Sequence, residues 1–204
     1  VSLTLTYFPV RGRAEVIRVM LKDQGAEFDE KVITMEMWKE STLKASCVSN
    51  PLFGQLPILE DGDLTLYQTN AIRRHLARKL GLYGKDQREA ALIDMMDEAI
   101  QDLLNKYIKL MFEKDVSVQM YGKCNQFDLN PYSKIILQQE DLISLADYAL
   151  VILLIHHQVL SPPCLHAFPS LQSYLKRLCA RPNLHAYFHS DDFKNRPIIP
   201  GKRT

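Results

Sequence analysis

Alternating and helical patterns of apolar residues divide the first part of the chain into short elements. Residues 3–7 alternate apolar and polar side chains, which predicts a strand that ends at Pro9. Apolar residues at helical spacing over residues 16–21, followed by Gly25, predict a helix and its end. Residues 30–33 predict a second, short strand, so this stretch forms a strand–helix–strand unit.

A hairpin and a further helix are predicted after a long loop. Residues 58–67 hold two apolar runs joined by Asp61-Gly62-Asp63, a turn sequence typical of a β-hairpin. Thr69 or Asn70 can cap a helix that stops at Gly81. A parallel strand–helix–strand half followed by an antiparallel half is the plan of a thioredoxin-like domain, and we predict that fold here.

The pattern becomes purely helical after a short stretch of different composition at residues 82–86. Helices are predicted over residues 87–112, 144–160, 170–180 and 181–187. Residues 120–131 lack periodicity and are assigned to a loop. We therefore predict an α/β plus all-α protein with a thioredoxin-like domain over residues 1–81, a linker over residues 82–86 and an all-helical domain over residues 87–204.

Charge and composition exclude several classes of protein. The 204 residues include 25 Lys and Arg against 24 Asp and Glu, a net charge of +1, and 47% of them are hydrophobic. A chain of this hydrophobicity can bury a core, which excludes disordered and low-complexity classes. Because a phosphate-binding surface needs a clear excess of Lys and Arg, we expect neither nucleic acid nor a membrane as a partner.

The cysteines and the most apolar stretch favour a cytoplasmic protein. The four cysteines include no CxxC pair, which argues against a zinc or dithiol site and favours a reducing compartment. The chain opens on a strand pattern, and we expect no leader peptide. Residues 142–160 are interrupted by Asp147 and His156-His157, so a buried helix is expected there rather than a membrane span. In the absence of HExxH, P-loop and GxGxxG motifs, we also expect no metal.

Ser144 and Asp147 form a predicted capping box at the start of this apolar helix. The spacing lets the serine hydroxyl accept from a first-turn amide while the carboxylate reaches back to the serine amide. The carboxylate also lies at the positive end of the helix. We therefore assign Asp147 a structural role rather than a catalytic one.

Two features near the predicted hairpin are suited to a peptide that carries a carboxylate. Pro57 stands at the start of a strand, where the backbone of Leu56 is open to an outside partner. Gln68 and Thr69 begin a helix, whose free amides form an anion site. Taken alone, each feature is better explained by its structural alternative, a structural proline in one case and an ordinary helix cap in the other.

Several short motifs occur in a characteristic order along nearly the whole chain. They are Tyr7-Phe8-Pro9-Val10-Arg11-Gly12-Arg13, Lys44-Ala45-Ser46-Cys47, Phe53-Gly54-Gln55-Leu56-Pro57, Asp61-Gly62-Asp63-Leu64-Thr65-Leu66-Tyr67-Gln68, Leu80-Gly81-Leu82-Tyr83-Gly84-Lys85-Asp86, Phe168-Pro169 and Ala180-Arg181-Pro182. Together they closely resemble the cytosolic glutathione transferases, specifically the pi class. The resemblance implies the glutathione transferase fold, in which a helical domain that lines the electrophile site follows a thioredoxin-like domain. It also implies reduced glutathione as co-substrate, with no permanently bound cofactor.

The resemblance implies a role for Tyr7 and Arg13 in catalysis. The Tyr7 hydroxyl would hydrogen-bond the glutathione sulfur and favour the thiolate, which lowers the thiol pKa from its usual value of about 8.5. The thiolate would then attack an electrophilic carbon. Arg13 would add positive charge near the same sulfur.

The resemblance also implies how glutathione is held. Its glycine carboxylate would contact Trp38 and Lys44, and its cysteinyl part would contact Gln55 and the backbone of Leu56, with Pro57 in cis. Its γ-glutamyl end would contact Gln68 and Thr69, and Asp102 of the other subunit. We therefore expect a homodimer, with Phe53 as the aromatic key that enters the partner.

The electrophile pocket is where this chain departs from the pi-class pattern. Residues that would line it are Phe8, Val10, Met35, Ile108 and Phe112. The pattern usually has Tyr at Phe112, and the missing hydroxyl implies an altered range of electrophiles. The loop before Phe53 carries extra residues, and residues 112–142 are shorter than in the family.

Two functions follow from these observations. The leading hypothesis is a dimeric glutathione transferase that joins the thiolate to hydrophobic electrophiles. The alternative is a non-catalytic, glutathione-transferase-like protein that binds apolar ligands or a protein partner. Peroxide reduction by the same thiolate stays open, as does a redox role for Cys47, whose pKa the nearby Lys44 would lower.

Overall fold

The structure is a computed structural model that describes residues 2–40, 55–112, 129, 131 and 143–199. The first elements are β1 (Leu3–Tyr7), a 3₁₀ turn (Gly12–Ala14), α1 (Glu15–Asp23), β2 (Phe28–Val32), α2 (Met35–Glu40), β3 (Ile58–Asp61), β4 (Leu64–Tyr67) and α3 (Thr69–Lys79). The later ones are α4 (Gln87–Phe112), α5 (Leu145–Leu160), a 3₁₀ turn (Pro162–Leu165), α6 (Pro169–Cys179), α7 (Pro182–His189) and α8 (Asp191–Asn195).

The strands form one mixed sheet in the order β2-β1-β3-β4. β1 pairs with β2 in parallel and with β3 in antiparallel orientation, and β3 and β4 form the predicted hairpin. Leu5 of β1 lies opposite Leu59 of β3, and both side chains are fully buried. This arrangement confirms the predicted thioredoxin-like plan of a parallel half followed by an antiparallel half.

α1 covers the sheet with an apolar face that its sequence spacing predicts. Ile17, Val19 and Met20 are fully buried. The helix stops at Gln24, and Gly25 adopts a φ of +64°, the left-handed conformation that glycine accepts at the end of a helix. Burial of the apolar stripe, rather than intrinsic helix propensity, therefore stabilises this nine-residue helix.

Two short helices lie where no helix is predicted from the sequence. α2 has six residues, none of them buried, and it begins where the Thr34 hydroxyl accepts the amide of Met37 at 3.1 Å. α8 has five residues, and it begins where the Ser190 hydroxyl accepts the amide of Phe193 at 3.3 Å. Helices of one or two turns are too short to show a clear hydrophobic period, which is why only their capping residues indicate them.

The chain divides into two compact units. The first consists of the described residues up to Leu80 together with those from Pro182 onward, and the second of those from Gly81 to Arg181. Our sequence-based limits group residues 182–199 with the helical domain, whereas these residues pack on the first unit. One of the contacts that hold them is a hydrogen bond of 2.8 Å from the Asn183 side chain to the carbonyl of Asp23. The domain limits inferred from composition stay a prediction.

The second unit is built on the packing of α4 against α5. α5 is the apolar helix of the sequence pattern, and Leu150, Ile152 and Leu154 are among its buried residues. None of the helices in the described ranges is long and apolar enough to cross a membrane.

Candidate active site

A pocket of about 500 Å³ opens on the first unit. Its walls come from the loop after β1, from α2, from the start of β3 and from the N-terminus of α3. The lining residues are Phe8, Arg13, Trp38, Gln55, Leu56, Gln68, Thr69 and Asn70. The fold thus brings together side chains that the sequence analysis assigns to the peptide ligand with Phe8, which it assigns to the electrophile pocket, and Asn70, which it considers only as a helix cap.

Tyr7 is the last residue of β1, and it is not itself among the residues that line this pocket. Its side chain is 7% exposed, and its neighbours Phe8 and Arg13 line the cavity. The Tyr7 hydroxyl accepts the backbone amide of Arg13 at 3.0 Å. This contact uses a lone pair of the oxygen and leaves the hydroxyl proton available to a second partner.

The surroundings of Tyr7 act on its pKa in opposite directions. Burial raises the pKa of the phenol, and the Arg13 amide and the charges of Arg18 and Arg13 oppose that rise. Because the balance is a raised pKa, the hydroxyl keeps its proton at neutral pH. Tyr7 is therefore a hydrogen-bond donor rather than a base.

Gly12 makes the close approach to Tyr7 possible. Its φ is +45°, and a Cβ at this position would lie 2.5 Å from the Tyr7 hydroxyl oxygen. Only glycine satisfies both the backbone conformation and the space. Gly12 is therefore a site residue, although nothing in its sequence context alone identifies it as one.

Aromatic side chains form one wall of the pocket. The Phe8 ring lies 5.9 Å from that of Trp38 in an edge-to-face arrangement, and 5.7 Å from that of Tyr7. Such pairs are favourable beyond the area that they bury. Trp38 belongs to α2, so this unpredicted helix is what presents the single tryptophan to the pocket.

The opposite wall begins at the Leu56–Pro57 peptide bond, which is cis. Pro57 is buried, while Gln55 is exposed and Leu56 is half-buried. Pairing with the neighbouring strands of the sheet begins only after these residues, at Ile58. Gln55 and Leu56 therefore extend beyond the sheet and line the cavity.

The residues at the N-terminus of α3 line the pocket, and one of them has a strained backbone conformation. Gln68 has a φ of +71°. Among the described residues, it is the only residue other than glycine with a positive φ. Its carbonyl accepts the amide of Ile72 at 3.0 Å, which starts the helix. A conformation of this kind costs on the order of 1–3 kcal/mol and is found where surrounding structure enforces it, often at functional sites.

α3 also makes this wall of the pocket electrostatically positive. The first amides of an α-helix lack partners within the helix, and the helix dipole makes this end positive. Thr69, half-buried, places its hydroxyl-bearing side chain there. The wall is thus suited to an anionic group such as a carboxylate.

The predicted electrophile-pocket residues are distributed over both units. Val10 is buried in the loop after β1, and Met35, at the start of α2, is 44% exposed. Ile108 belongs to α4 in the second unit, and the side chain of Phe112 lies outside the described residues. Phe8, as noted, lines the pocket of the first unit, and the shared role of these residues stays a prediction.

Other predicted residues can be placed only in part. Asp102 is exposed on α4. Lys44, Cys47 and Phe53 lie outside the described residues, as do the extra residues before Phe53 and most of residues 112–142. Their predicted roles are neither supported nor opposed by the structure.

Ser144 and Asp147 form a cap rather than a reactive pair. The Ser144 amide donates to the Asp147 carboxylate at 2.7 Å, and the Ser144 hydroxyl donates to the same oxygen at 2.7 Å. The other carboxylate oxygen accepts the Tyr174 hydroxyl at 2.7 Å, and burial raises the pKa of that tyrosine well above its usual range. One carboxylate oxygen therefore caps α5, and the other joins α5 to α6.

Within the described ranges, no group of three or more His, Cys, Asp or Glu side chains is arranged to hold a metal ion. The protein groups around the pocket are of several kinds. They are a protonated phenol, a positive helix end, an arginine and an apolar aromatic wall.

Comparison with known proteins connects this pocket to a family. The family described as "Glutathione S-transferase, N-terminal domain" matches residues 3–78, and "Glutathione S-transferase, C-terminal domain" matches residues 140–182. Glutathione S-transferase P of Homo sapiens is 48% identical over 96% of this chain and 95% of its own length. Glutathione S-transferase P 1 of Bufo bufo is 43% identical over the same shares. The structure of a pi-class glutathione S-transferase of Onchocerca volvulus aligns with this chain over 100% of both chains, with a TM-score of 0.88 and 34% sequence identity.

Proposed function

Because this chain belongs to the glutathione S-transferase family, we propose that the pocket of its first unit binds reduced glutathione and presents the thiolate to hydrophobic electrophiles. The observation that carries this proposal is the Tyr7 hydroxyl, which accepts the Arg13 amide at 3.0 Å and keeps its own proton. A buried donor at the edge of a peptide-sized pocket is what activation of a thiol requires.

Tyr7 is the group that stabilises the thiolate. Its hydroxyl donates a hydrogen bond to the glutathione sulfur. Because a hydrogen bond to the ionised thiol is stronger than one to the neutral thiol, this bond favours the ionised form. The pKa of the bound thiol falls, and the thiolate attacks an electrophilic carbon to form a C–S bond while the leaving group departs or the carbon system accepts the electron pair. The Arg13 side chain, on the rim of the same pocket, adds positive charge.

The rest of the pocket holds the peptide. The γ-glutamyl carboxylate lies at the N-terminus of α3, where Gln68 and Thr69 present the positive helix end. The cysteinyl part pairs with the backbone of Leu56 by strand addition, beside Gln55 and Pro57. The glycine end lies against Trp38, with Lys44 as its predicted cation.

The homodimer is part of the proposal. α4 exposes two large apolar side chains three residues apart, Leu92 at 41% and Met95 at 58%. Apolar side chains at this spacing lie on one helix face, which suits a partner surface. Asp102 on the same helix would then reach the γ-glutamyl amine of the partner's glutathione, and Phe53 would enter the partner.

We also propose the cytoplasm as the compartment. Cys179 is a free thiol in the structure, and free thiols persist where glutathione and thioredoxin keep cysteines reduced.

The test is conjugation of a chlorinated nitrobenzene at saturating glutathione, combined with retention of the protein on immobilised glutathione. We expect both retention and turnover. Retention without turnover would contradict catalysis and favour the non-catalytic alternative. That alternative receives no support from the comparisons, in which the relatives that match nearly the whole chain are named as transferases.

A further inference from the structure

The C-terminal segment of the chain holds the loop that supports Tyr7. The amide of Arg11 donates to the carbonyl of Pro197 at 2.8 Å, and the amide of Gly12 donates to the carbonyl of Ile198 at 2.9 Å. Ile198 is 2% exposed, so these bonds lie in a buried contact. The next amide in the loop is that of Arg13, the donor to the Tyr7 hydroxyl.

The same loop is held from its other side by a buried cation. The Arg18 guanidinium donates to the carbonyl of Val10 at 3.0 Å and to that of Arg11 at 3.2 Å. Arg18 is 1% exposed and pairs with the carboxylate of Glu15 at 2.8 Å. The loop is thus fixed between α1 and the C-terminal segment, with both its amides and its carbonyls engaged.

One carboxylate joins these two supports. Glu30 of β2 pairs with Arg18 at 2.6 Å. It also accepts two hydrogen bonds from Arg196, at 3.0 Å and 3.1 Å, one to each carboxylate oxygen. A bidentate pair of this kind fixes geometry as well as adding energy. Arg196 directly precedes the two residues whose carbonyls hold the loop.

A second contact fastens the segment just before Arg196. The Arg11 side chain donates to the carbonyl of Phe193 at 2.8 Å, and its guanidinium lies 3.9 Å above the Phe193 ring. Arg196 additionally pairs with Asp192 at 2.7 Å. The segment therefore has a defined position relative to the loop rather than a loose attachment.

We propose that Arg196 is a positioning residue for Tyr7, acting through Glu30, the carbonyls of residues 197 and 198 and the amide of Arg13. The inference rests on the proposed role of Tyr7 as donor to the glutathione thiolate. A peptide amide donates well only along its N–H direction, and its strength falls as the angle closes. If the loop relaxes, the Arg13 amide leaves its alignment with the phenol oxygen, and the Tyr7 hydroxyl becomes a weaker donor to the sulfur.

The experiment measures the pKa of the thiol of bound glutathione from the ultraviolet absorbance of the thiolate as a function of pH. Arg196→Ala is expected to raise this pKa by about half a unit, which is about threefold less thiolate at a pH below it. The affinity for glutathione at a pH where the thiol is protonated should change little, since Arg196 does not line the pocket.

Asn183→Ala is the matched control. It removes another anchor of the C-terminal part, the 2.8 Å bond to Asp23, at the far end of that part from the loop. Both variants should lower the thermal midpoint, but only Arg196→Ala should move the thiol pKa. A thiol pKa in Arg196→Ala equal to that of Asn183→Ala would overturn the inference. If Arg196→Ala fails to fold, Arg196→Gln, which keeps most of the side chain without the bidentate pair, decides in the same way.

A double variant separates this inference from the proposed function. Arg196→Ala added to Tyr7→Phe should produce no further rise in the thiol pKa, because the path runs through the phenol oxygen. A further rise of the same size would show that Arg196 acts on the sulfur by another route and would overturn the inference while leaving Tyr7 in its role. An unchanged thiol pKa in Tyr7→Phe alone would instead overturn the role of Tyr7.

Discussion

The hydroxyl of Tyr187 donates to the buried carboxylate of Glu15 at 2.8 Å, joining α7 to α1 across 172 residues of sequence. Glu15 is fully buried and also pairs with Arg18 at 2.8 Å. Burial and the nearby Glu15 charge raise the pKa of Tyr187 far above its usual value, so the phenol remains a donor. This contact fixes the C-terminal part of the chain on the unit that holds the candidate active site.

Tyr187→Phe is expected to destabilise the protein by about 1.5–3 kcal/mol, the usual value of a hydrogen bond to a charged group. The reason is that the Glu15 carboxylate loses a buried donor. Urea unfolding measures the loss. Combined with Glu15→Ala, the two losses should fall short of additivity because each substitution removes the same bond. Strict additivity would show that the contact contributes nothing.

Tyr7→Phe is expected to lower kcat/KM for conjugation by roughly tenfold to a hundredfold, corresponding to the loss of one hydrogen bond to an anion. The bound thiol should become less acidic, while binding of glutathione is nearly intact. The dependence of kcat/KM on pH measures both the loss of rate and the change in the pKa of the bound thiol. Tyr174→Phe removes a buried hydroxyl from the second unit and serves as control, since it should leave the thiol pKa where it is. A profile that Tyr7→Phe does not shift would exclude the proposed role.

Gly12→Ala is expected to lower both stability and turnover. The substitution adds backbone strain at a φ of +45° and brings a methyl group to 2.5 Å from the Tyr7 hydroxyl. Gly25→Ala is the matched control, because it carries similar strain at a φ of +64° with no atom within 4 Å of the added Cβ. Strain alone costs about 1 kcal/mol.

We therefore expect both glycine variants to unfold at lower urea, and only Gly12→Ala to raise the pKa of the bound thiol. Equal kinetics in the two variants would mean that the close approach of Gly12 to Tyr7 has no catalytic consequence.

His157 is expected to make the stability depend on pH. Burial lowers the pKa of this histidine below its usual value of 6.5, and the hydrogen bond between its Nδ1 and the Leu153 carbonyl, at 2.7 Å, opposes that shift without cancelling it. The folded protein therefore favours the neutral imidazole. The unfolded chain binds a proton near pH 6.5 and the folded chain only at lower pH. The contribution of His157 to the free energy of unfolding should therefore be complete above about pH 6.5. It should decrease as the pH falls from that value toward the pKa of His157 in the folded protein.

His157→Gln should flatten this dependence between pH 7 and pH 5, whereas His166→Gln, at an exposed position of the same unit, should preserve it. Urea unfolding at a series of pH values makes the comparison. A steep acid loss that survives in His157→Gln would assign the effect to other groups.

Most of the regular structure follows from local patterns. β1, the hairpin, α3, α4 and α5 lie where the repeat of apolar residues and the turn residues predict them. α2 and α8 escape such prediction, since six and five residues cannot establish a period. The thioredoxin-like plan then follows from the order of the elements alone.

The pocket can be anticipated from sequence only through the set of motifs. The family resemblance that these motifs carry assigns roles to Arg13, Trp38 and Thr69, and the fold brings these residues to one cavity. They carry no information on the positive φ of Gln68 or the contact between Gly12 and Tyr7. Those features depend on how one segment lies against another, and no local pattern encodes such a relation.

Local periodicity and ordered motifs are properties of neighbouring residues, so the sequence alone predicts most of the elements, their order and the family. Contacts between distant segments become visible only in the fold, which groups residues 182–199 with the first unit and shows that Arg11, Gly12 and Arg18 fix the loop after β1. The physical reason is that these contacts are hydrogen bonds of buried polar groups between distant segments. Their partners are chosen by packing and by the need to satisfy each buried group, and neither leaves a periodic trace in the sequence.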